Sequence, residues 1–375
     1  MHTRQLDIYD ALEDFEPRKL AFDDVTKMVH VSGKGPAVIV IPEVPGISPH
    51  VARFARWVRE AGFTVYMPSL YGRDGEPVDL EIGQAIFKRV CISAEFRAFG
   101  AGGSAPVTQW LRALARFAHE ESGGPGVGAI GMCFSGNFAL SMMLEPSMLA
   151  PVLAQPALPL DDDAGLQISP EELTMVRQRL DKEDLTVMAY RFEGDRFCKS
   201  QRFAAYQQAL GDRFVGRALP DSAANPDMPE FFEKVVQTPH NVVTIHLIDE
   251  EGQPTRKARD EILEFFARRL APAAVNINDD PQSEDDRESA IILYSELIAE
   301  AQALGAALLE HDADEARFRA ALIGGLARSR DLSGVASLAD DLERRLTLRR
   351  DRPAIGVGAS YERLSRALDQ LLDDA

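Results

Sequence analysis

The chain has 375 residues, of which 45% are hydrophobic and 27% are charged, values typical of a globular protein with one large domain or two domains. Its net charge of −18 argues against nucleic acid or an anionic membrane as a partner, because both attract clusters of lysine and arginine. Three cysteines do not make a disulfide framework, no apolar run approaches the roughly 20 residues of a membrane span, and no basic segment followed by an apolar core opens the chain. We therefore expect a cytoplasmic protein.

Short apolar runs alternate with helical patterns in the first 270 residues. The runs predict strands buried on both faces of a sheet, at residues 36–42, 63–68, 127–131, 150–156, 185–192 and 242–248. Apolar residues at helical spacing predict helices within 50–62, 107–121, 169–182 and 257–270. This alternation is typical of an α/β fold with a mostly parallel sheet and helices on both faces.

The character of the sequence changes near Asn276. From there on the chain has 12 arginines against 21 acidic residues, a net charge of −9, and the stretch "NINDDPQSEDDRES" is almost free of apolar residues. Beyond it the apolar residues follow helical periods only. We therefore predict an α/β domain over 1–272, an acidic linker over 273–288 and an all-α domain of about four helices over 289–375. The helical domain is the predicted surface for any association between copies of the chain.

The stretch "VGAIGMCFSGNFAL" reads as a strand, a tight turn and the start of a helix, with Cys133 on the turn. Such a turn exposes its residue above the sheet edge, and the positive end of the following helix favours a thiolate. "G-M-C-F-S-G" is thus a cysteine version of the nucleophile elbow G-x-S-x-G, with the second glycine displaced by one place. The alternative is a buried and unreactive cysteine, since free cysteine is among the most buried residue types.

The order of polar residues further along the chain favours the catalytic interpretation. An acid should follow a later strand, and a histidine should follow the acid in a loop. Asp195 follows the predicted strand at 185–192, in "EGDRFC", and His240 lies in "QTPHNVV". Either residue alone is more often structural than catalytic, but the joint order of Cys133, Asp195 and His240 is the one that a triad requires.

At these positions the sequence resembles the dienelactone hydrolase family of α/β-hydrolases, over about residues 37–270. The resemblance rests on "IPEVPG", "YMPSLYGR", "IGMCFSGNFAL" and "RFEGDRFC" followed by "PHNVVT". It implies a lactone or carboxylic ester substrate, a catalytic triad of Cys133, His240 and Asp195, and a glutamate, Glu43, that contacts the resting cysteine. It also implies an oxyanion hole formed by the backbone N–H groups of Val44 and Phe134.

Three features depart from the family pattern. Thr244 lies where the best-known members carry an arginine that helps to hold the carboxylate of the substrate. Ser135 replaces the usual glycine, and the segment from Gly211 to Thr238, between acid and histidine, is long enough for a lid. These departures leave the hydrolase chemistry in place but put a dienelactone substrate in doubt.

The sequence predicts neither a cofactor nor a metal. Gly126, Gly128 and Gly131 spell G-x-G-x-x-G, but a helix precedes them and their second half is itself the predicted strand, contrary to the dinucleotide fingerprint. The other histidines lack metal-ligand spacing. The alternative to an enzyme is an inactive α/β-hydrolase scaffold that binds a ligand or a partner.

Overall fold

The computed structural model describes residues 5–92, 105–270, 297, 300–310, 312–328, 332–347 and 357–373. The chain divides into two compact units, Met1–Ala273 and Ala274–Ala375, and each is considered by itself. The predicted acidic linker at 273–288 falls outside the described residues, so its character stays a prediction.

The first unit is built on one eight-stranded sheet. Its strands are β1 (Glu16–Phe22), β2 (Val25–Ser32), β3 (Ala37–Ile41), β4 (Thr64–Pro68), β5 (Val127–Met132), β6 (Met148–Ala154), β7 (Val187–Phe192) and β8 (Phe214–Leu219). The order across the sheet is β1-β2-β4-β3-β5-β6-β7-β8. The pairs β1–β2 and β2–β4 are antiparallel and all the others are parallel. This strand order is that of the α/β-hydrolase fold, and the predicted fold class is confirmed.

Helices cover both faces of the sheet, because successive side chains of a buried strand point to opposite faces and each face needs an apolar partner. The helices are α1 (Pro49–Glu60), α2 (Leu80–Ile92), α3 (Pro106–Ser122), α4 (Phe138–Ser141), α5 (Pro170–Lys182), α6 (Ser200–Leu210) and α7 (Pro254–Leu270). One apolar core packs α1 and α7 against the sheet, and the other packs α3, α5 and α6. Within β3, Val38 and Val40 enter the first core, whereas Ile39 and Ile41 enter the second.

Five of the six predicted strands coincide with β3 to β7, and the sixth is wrong. Residues 242–248 form turns instead of a strand, although Val242, Val243 and Ile245 are almost fully buried. The strands β1, β2 and β8 were not predicted. Much of each is exposed, so none reads as a continuous apolar run. The strand β8 lies inside the stretch predicted as a lid.

The second unit is helical, as predicted. Its described residues hold a helical stretch over 300–309, here α8, followed by α9 (Ala313–Arg328), α10 (Ser333–Thr347) and α11 (Val357–Asp373). The predicted apolar stripes form its core, which includes Leu304, Val335, Leu342 and Leu364. No helix in the described part of the chain is long and apolar enough to cross a membrane.

Candidate active site

Cys133 follows directly on β5, at the sheet edge where the parallel strands end. Its φ of 56° lies in the left-handed region, which is costly for a residue with a side chain and which persists where the surroundings impose it. A Cβ on Gly131 would lie 2.1 Å from the carbonyl oxygen of Ser135, and one on Gly136 would lie 2.5 Å from the Cα of Pro156. The two flanking glycines therefore permit the sharp turn. The thiol is partly exposed.

The helix that follows this turn is shorter than the sequence predicts. A three-residue 3-10 turn, Cys133–Ser135, precedes the four-residue α4, and a second 3-10 turn, Met142–Leu144, follows it. Because only single helical turns are aligned behind the thiol, the helix dipole contributes less to the site than a full helix would.

Asp195 and His240, far apart in sequence, meet at the same sheet edge. The Nδ1–H of His240 donates to Oδ2 of Asp195 over 2.7 Å, and both side chains are buried. The other carboxylate oxygen, Oδ1, accepts the backbone N–H groups of Phe197 at 2.9 Å and Cys198 at 3.0 Å. The carboxylate is thus fixed by the loop after β7 and holds the imidazole in one orientation.

The pKa of His240 depends in part on the charge of Cys133. Burial lowers the pKa of His240, but the charges of Asp195 and Cys133, with their hydrogen bonding, outweigh burial and raise the pKa well above its ordinary value. The Nε2 atom is buried and no described side chain meets it with full hydrogen-bond geometry, so Cys133 acts on His240 mainly through its charge. An imidazole in this setting readily holds a proton opposite a thiolate.

Glu43 is fully buried in the loop after β3 and is held by three side chains. Its Oε1 accepts the hydroxyl of Thr244 at 2.6 Å, and its Oε2 accepts the amides of Asn241 and, at 3.3 Å, Gln155. Burial raises the pKa of this carboxyl, against the opposing effect of the three donors and the charge of His240. The resemblance implies a contact with the resting cysteine, yet among the described side chains no hydrogen bond joins Glu43 to Cys133.

The two backbone groups predicted to form an oxyanion hole lie in loops that one side chain connects. The hydroxyl of Ser135, next to Phe134, accepts the N–H of Met132 at 2.9 Å. The same oxygen lies 3.1 Å from the carbonyl oxygen of Ile41 and 3.0 Å from that of Pro42, shortly before Val44. Ser135 is fully buried, and these contacts connect the turn at Cys133 to the end of β3.

A second buried histidine supports the loop that carries His240, a role that no sequence pattern predicts. The Nδ1 atom of His246 accepts the backbone N–H groups of Asn241 at 3.1 Å and His240 at 3.4 Å. Burial, the largest cause, lowers the pKa of His246 to about 3, so the ring stays neutral and keeps its acceptor. Gln155 supports the same loop and was likewise not predicted. Its Oε1 accepts the backbone N–H of Val242 at 3.2 Å.

The remaining titratable groups near the site do not suggest a metal or a second nucleophile. Burial raises the pKa of the Cys198 thiol well above its usual value, which leaves it unreactive. No group of three or more histidine, cysteine and acidic side chains in the described residues is arranged to hold a metal ion. Gly128 and Gly131 lie within β5 and not on a phosphate-binding turn.

The strand order and the residues at the sheet edge define a protein of the α/β-hydrolase fold. A model of the dienelactone hydrolase family matches residues 25–167, and this match supports a hydrolase that acts on ester bonds. The matched range contains Glu43, Val44, Cys133 and Phe134 and ends before Asp195 and His240. No curated protein matches the sequence.

Several solved structures are similar to the chain. A dienelactone hydrolase from Anabaena variabilis has 13% identity over 69% of this chain and 100% of its own, with a TM-score of 0.44. The dienelactone hydrolase-like promiscuous phosphotriesterase P91 from metagenomic libraries has 16% identity over 68% of this chain and 99% of its own, with a TM-score of 0.47. Est1E from Butyrivibrio proteoclasticus has 13% identity over 68% of this chain and 98% of its own, with a TM-score of 0.41.

Proposed function

We propose that the protein cleaves a lactone or carboxylic ester through a thioester on Cys133, with His240 and Asp195 as the other members of the triad. One observation carries the proposal: a cysteine with strained backbone, a buried aspartate and a buried histidine lie at one sheet edge. Asp195 and His240 follow Cys133 by 62 and 107 positions in the sequence. Positive φ at a tight turn, next to a histidine already oriented by a carboxylate, is the arrangement that a nucleophile elbow requires.

The acylation step starts with the thiol proton of Cys133, which passes to Nε2 of His240. The thiolate attacks the carbonyl carbon of the ester, a C–S bond forms and the carbonyl π electrons move to the oxygen. The N–H groups of Val44 and Phe134 donate to this oxyanion, and each such donor contributes about 3–4 kcal/mol in other enzymes. The intermediate then collapses, the C–O bond to the alcohol breaks, and the departing alkoxide takes the proton from His240.

Deacylation repeats the same steps with water. His240 removes a proton from water, whose oxygen attacks the thioester carbon, and the C–S bond breaks when the second tetrahedral intermediate collapses. The products are the carboxylic acid and the regenerated Cys133–His240 pair. Asp195 keeps its negative charge throughout and stabilises the imidazolium that forms twice per cycle.

Glu43 is assigned a supporting part in this scheme. Its hydrogen bonds to Thr244 and Asn241 join the loop after β3, which carries Val44, to the loop that carries His240. Glu43 thus positions one oxyanion donor relative to the general base. The contact with the resting Cys133 that the resemblance implies stays a prediction.

The test compares the wild type with Cys133→Ala in the hydrolysis of short p-nitrophenyl esters and a panel of lactones. We expect kcat/KM to fall by about a thousandfold or more, because the variant lacks the nucleophile. Cys198→Ala is the matched control, since it removes a thiol that takes no part in the scheme. Equal rates for the wild type and Cys133→Ala would exclude Cys133 as the nucleophile, and a wild type without turnover would favour the inactive scaffold instead.

Alkylation provides an independent readout. Iodoacetamide should modify Cys133 in the native protein and spare Cys198, whose burial raises its pKa. The sites are mapped by mass spectrometry of the digested protein. Modification of Cys198 ahead of Cys133 would contradict the assignment of the nucleophile.

A further inference from the structure

Three phenylalanine rings and the catalytic pair form a continuous circuit of contacts. Phe134 follows Cys133 in the chain, and its ring meets that of Phe87 edge to face with centroids 5.4 Å apart. Phe87 meets Phe197 at 6.4 Å, and Phe197 meets the imidazole of His240 at 5.6 Å. The charge interaction between His240 and Cys133 closes the circuit.

The exposure of these residues shows where a ligand reaches the sulfur. Phe134 and His240 are buried, whereas Cys133, Phe87 and Phe197 are each partly exposed. An ester carbonyl that meets the sulfur therefore has its substituents beside the two open rings. Those rings present apolar faces and edges, which favour another flat apolar group.

The wall behind the two open rings is closely packed and apolar. Phe87 and Phe197 pack against a buried cluster of Phe231, Phe232, Val236 and Ile245. Helix α2, which carries Phe87, approaches this cluster closely, because a Cβ on Gly83 would lie only 2.5 Å from the ring of Phe231. The position of Phe87 is therefore set by close packing.

The arginine next to the circuit is exposed to water. Among the described contacts between cations and rings, Arg196 is the arginine that stacks on a ring of the circuit, with its guanidinium carbon 5.6 Å from the centre of Phe197. It is exposed and donates to Oε1 of Gln237 at 2.6 Å. Because Arg196 is exposed to water, an ion pair with it would contribute little against the cost of desolvating a carboxylate held between Phe87 and Phe197.

We propose that the site takes esters whose acyl group is an uncharged aromatic ring, or a similarly flat apolar group, held against Phe87 and Phe197. The inference rests on the proposed function, because it takes Cys133 as the atom that meets the ester carbonyl. It goes beyond that function in naming the acyl group and in excluding an acyl group with a carboxylate.

The first test uses p-nitrophenyl benzoate and p-nitrophenyl para-carboxybenzoate, two esters that differ by one charge on the ring. We expect kcat/KM for the neutral ester to be about tenfold higher or more, since the charged ring must be desolvated without a partner. Equal values, or preference for the charged ester, would overturn the proposal. If the wild type prefers the charged ester and Arg196→Gln loses this preference, Arg196 binds the carboxylate of a charged substrate instead.

The second test truncates the ring. Phe87→Ala should lower the ratio of kcat/KM for p-nitrophenyl benzoate over p-nitrophenyl acetate by about tenfold, because acetate makes few contacts with that ring. Phe87→Leu keeps an apolar side chain and should cause a smaller loss if Phe87→Ala proves unstable. Phe117→Ala is the matched control, a partly buried phenylalanine of α3 that packs on Phe22 with ring centres 5.9 Å apart. A ratio that falls equally in Phe87→Ala and Phe117→Ala would refute the role of Phe87.

Binding separates this proposal from the proposed function. The Cys133→Ala variant should bind p-nitrophenyl benzoate more tightly than the para-carboxy ester in calorimetry, whether or not the wild type turns either over. A binding preference without turnover in the wild type would support the apolar pocket and contradict the hydrolase mechanism. Equal binding of the two esters would refute the pocket, even if Cys133 proved to be the nucleophile.

Discussion

At the scale of single residues, the site depends on buried polar groups that satisfy one another. His246 is the clearest case, since its Nδ1 accepts two adjacent backbone N–H groups in the loop that carries His240. One of them belongs to His240 and the other to Asn241, whose side chain donates to Glu43. A single imidazole thus orients the general base and the residue beside it, without touching the reacting atoms.

We predict that His246→Leu lowers kcat by about tenfold with little change in KM, because the loop loses its internal acceptor and His240 loses its exact placement. Two buried N–H groups without an acceptor should also lower the free energy of unfolding by about 1–3 kcal/mol. His246→Asn retains an acceptor near the position of Nδ1 and should recover most of kcat. Initial rates and urea unfolding of both variants test this. Equal kcat losses in both variants would contradict the role of the acceptor.

Asp195 should set the alkaline limit of activity. Its charge raises the pKa of His240, and a protonated His240 is needed to protonate the departing alkoxide. Activity on a methyl ester, whose alkoxide needs that proton, should therefore fall as pH rises through the pKa of His240. In Asp195→Asn the pKa of His240 is lower, so the fall should move to lower pH and kcat should drop. A pH profile with an unmoved alkaline limb would exclude this linkage.

The sequence predicts a triad, which stays a proposal, but it does not indicate the buried residues that contact its loops. Cys133 and Asp195 stand out because each follows an apolar run, His240 lies just before one, and their order fits an elbow, an acid and a histidine. Gln155, Asn241 and His246 carry no such local signal. Gln155 and Asn241 contact Glu43 across 112 and 198 positions of chain, and only the folded sheet brings them together.

At the scale of elements, the elbow after β5 and the loop after β3 act as one piece. Ser135 connects them, since its oxygen accepts the N–H of Met132 and lies within hydrogen-bond distance of the carbonyls of Ile41 and Pro42. The proposed oxyanion donors, Val44 and Phe134, lie on either side of this connection. Their separation is therefore fixed before a substrate arrives.

Ser135→Ala should weaken this connection. The buried N–H of Met132 loses its acceptor, which costs about 1–3 kcal/mol of stability. We expect kcat to fall with KM nearly unchanged, because the oxyanion donors matter more in the transition state than in the ground state. Ser141→Ala, another buried serine, serves as the control for stability alone. The account would be wrong if both variants lost kcat in proportion to their stability.

Two errors in predicting elements from the sequence have the same physical cause. The run at 242–248 is apolar because its side chains enter two cores from a series of turns, and local periodicity cannot distinguish such a segment from a buried strand. Strand β8 was not predicted for the opposite reason, since five of its six residues, Val215 to Leu219, are at least partly exposed at the sheet edge. Burial by tertiary packing decides both cases.

At the scale of the whole molecule, the proposed chemistry belongs to one unit. The sheet, both of its apolar cores and every residue of the proposed mechanism lie within Met1–Ala273. The helical unit has its own core of leucine, alanine and valine side chains. Within its described residues no group of metal-binding side chains is found.

A chain ended after residue 272 should therefore fold and keep its kcat/KM on p-nitrophenyl acetate. If the helical unit mediates self-association, as its sequence predicts, the shortened chain should also be a smaller species in sedimentation than the full chain at equal concentration. A folded but inactive shortened chain would show that the helical unit contributes to the substrate pocket. Circular dichroism distinguishes that result from a failure to fold.

The central claim is that an acyl group is carried by the sulfur of Cys133. Rapid acid quenching of the wild type during turnover of p-nitrophenyl benzoate, followed by peptide mapping, tests it most directly. The account predicts a benzoyl group on the peptide that contains Cys133, released by hydroxylamine as a thioester should be, and absent from Cys133→Ala. A benzoyl group on another side chain, or steady turnover in which no acylated peptide accumulates in the wild type or in a slowed His240→Asn variant, would contradict it.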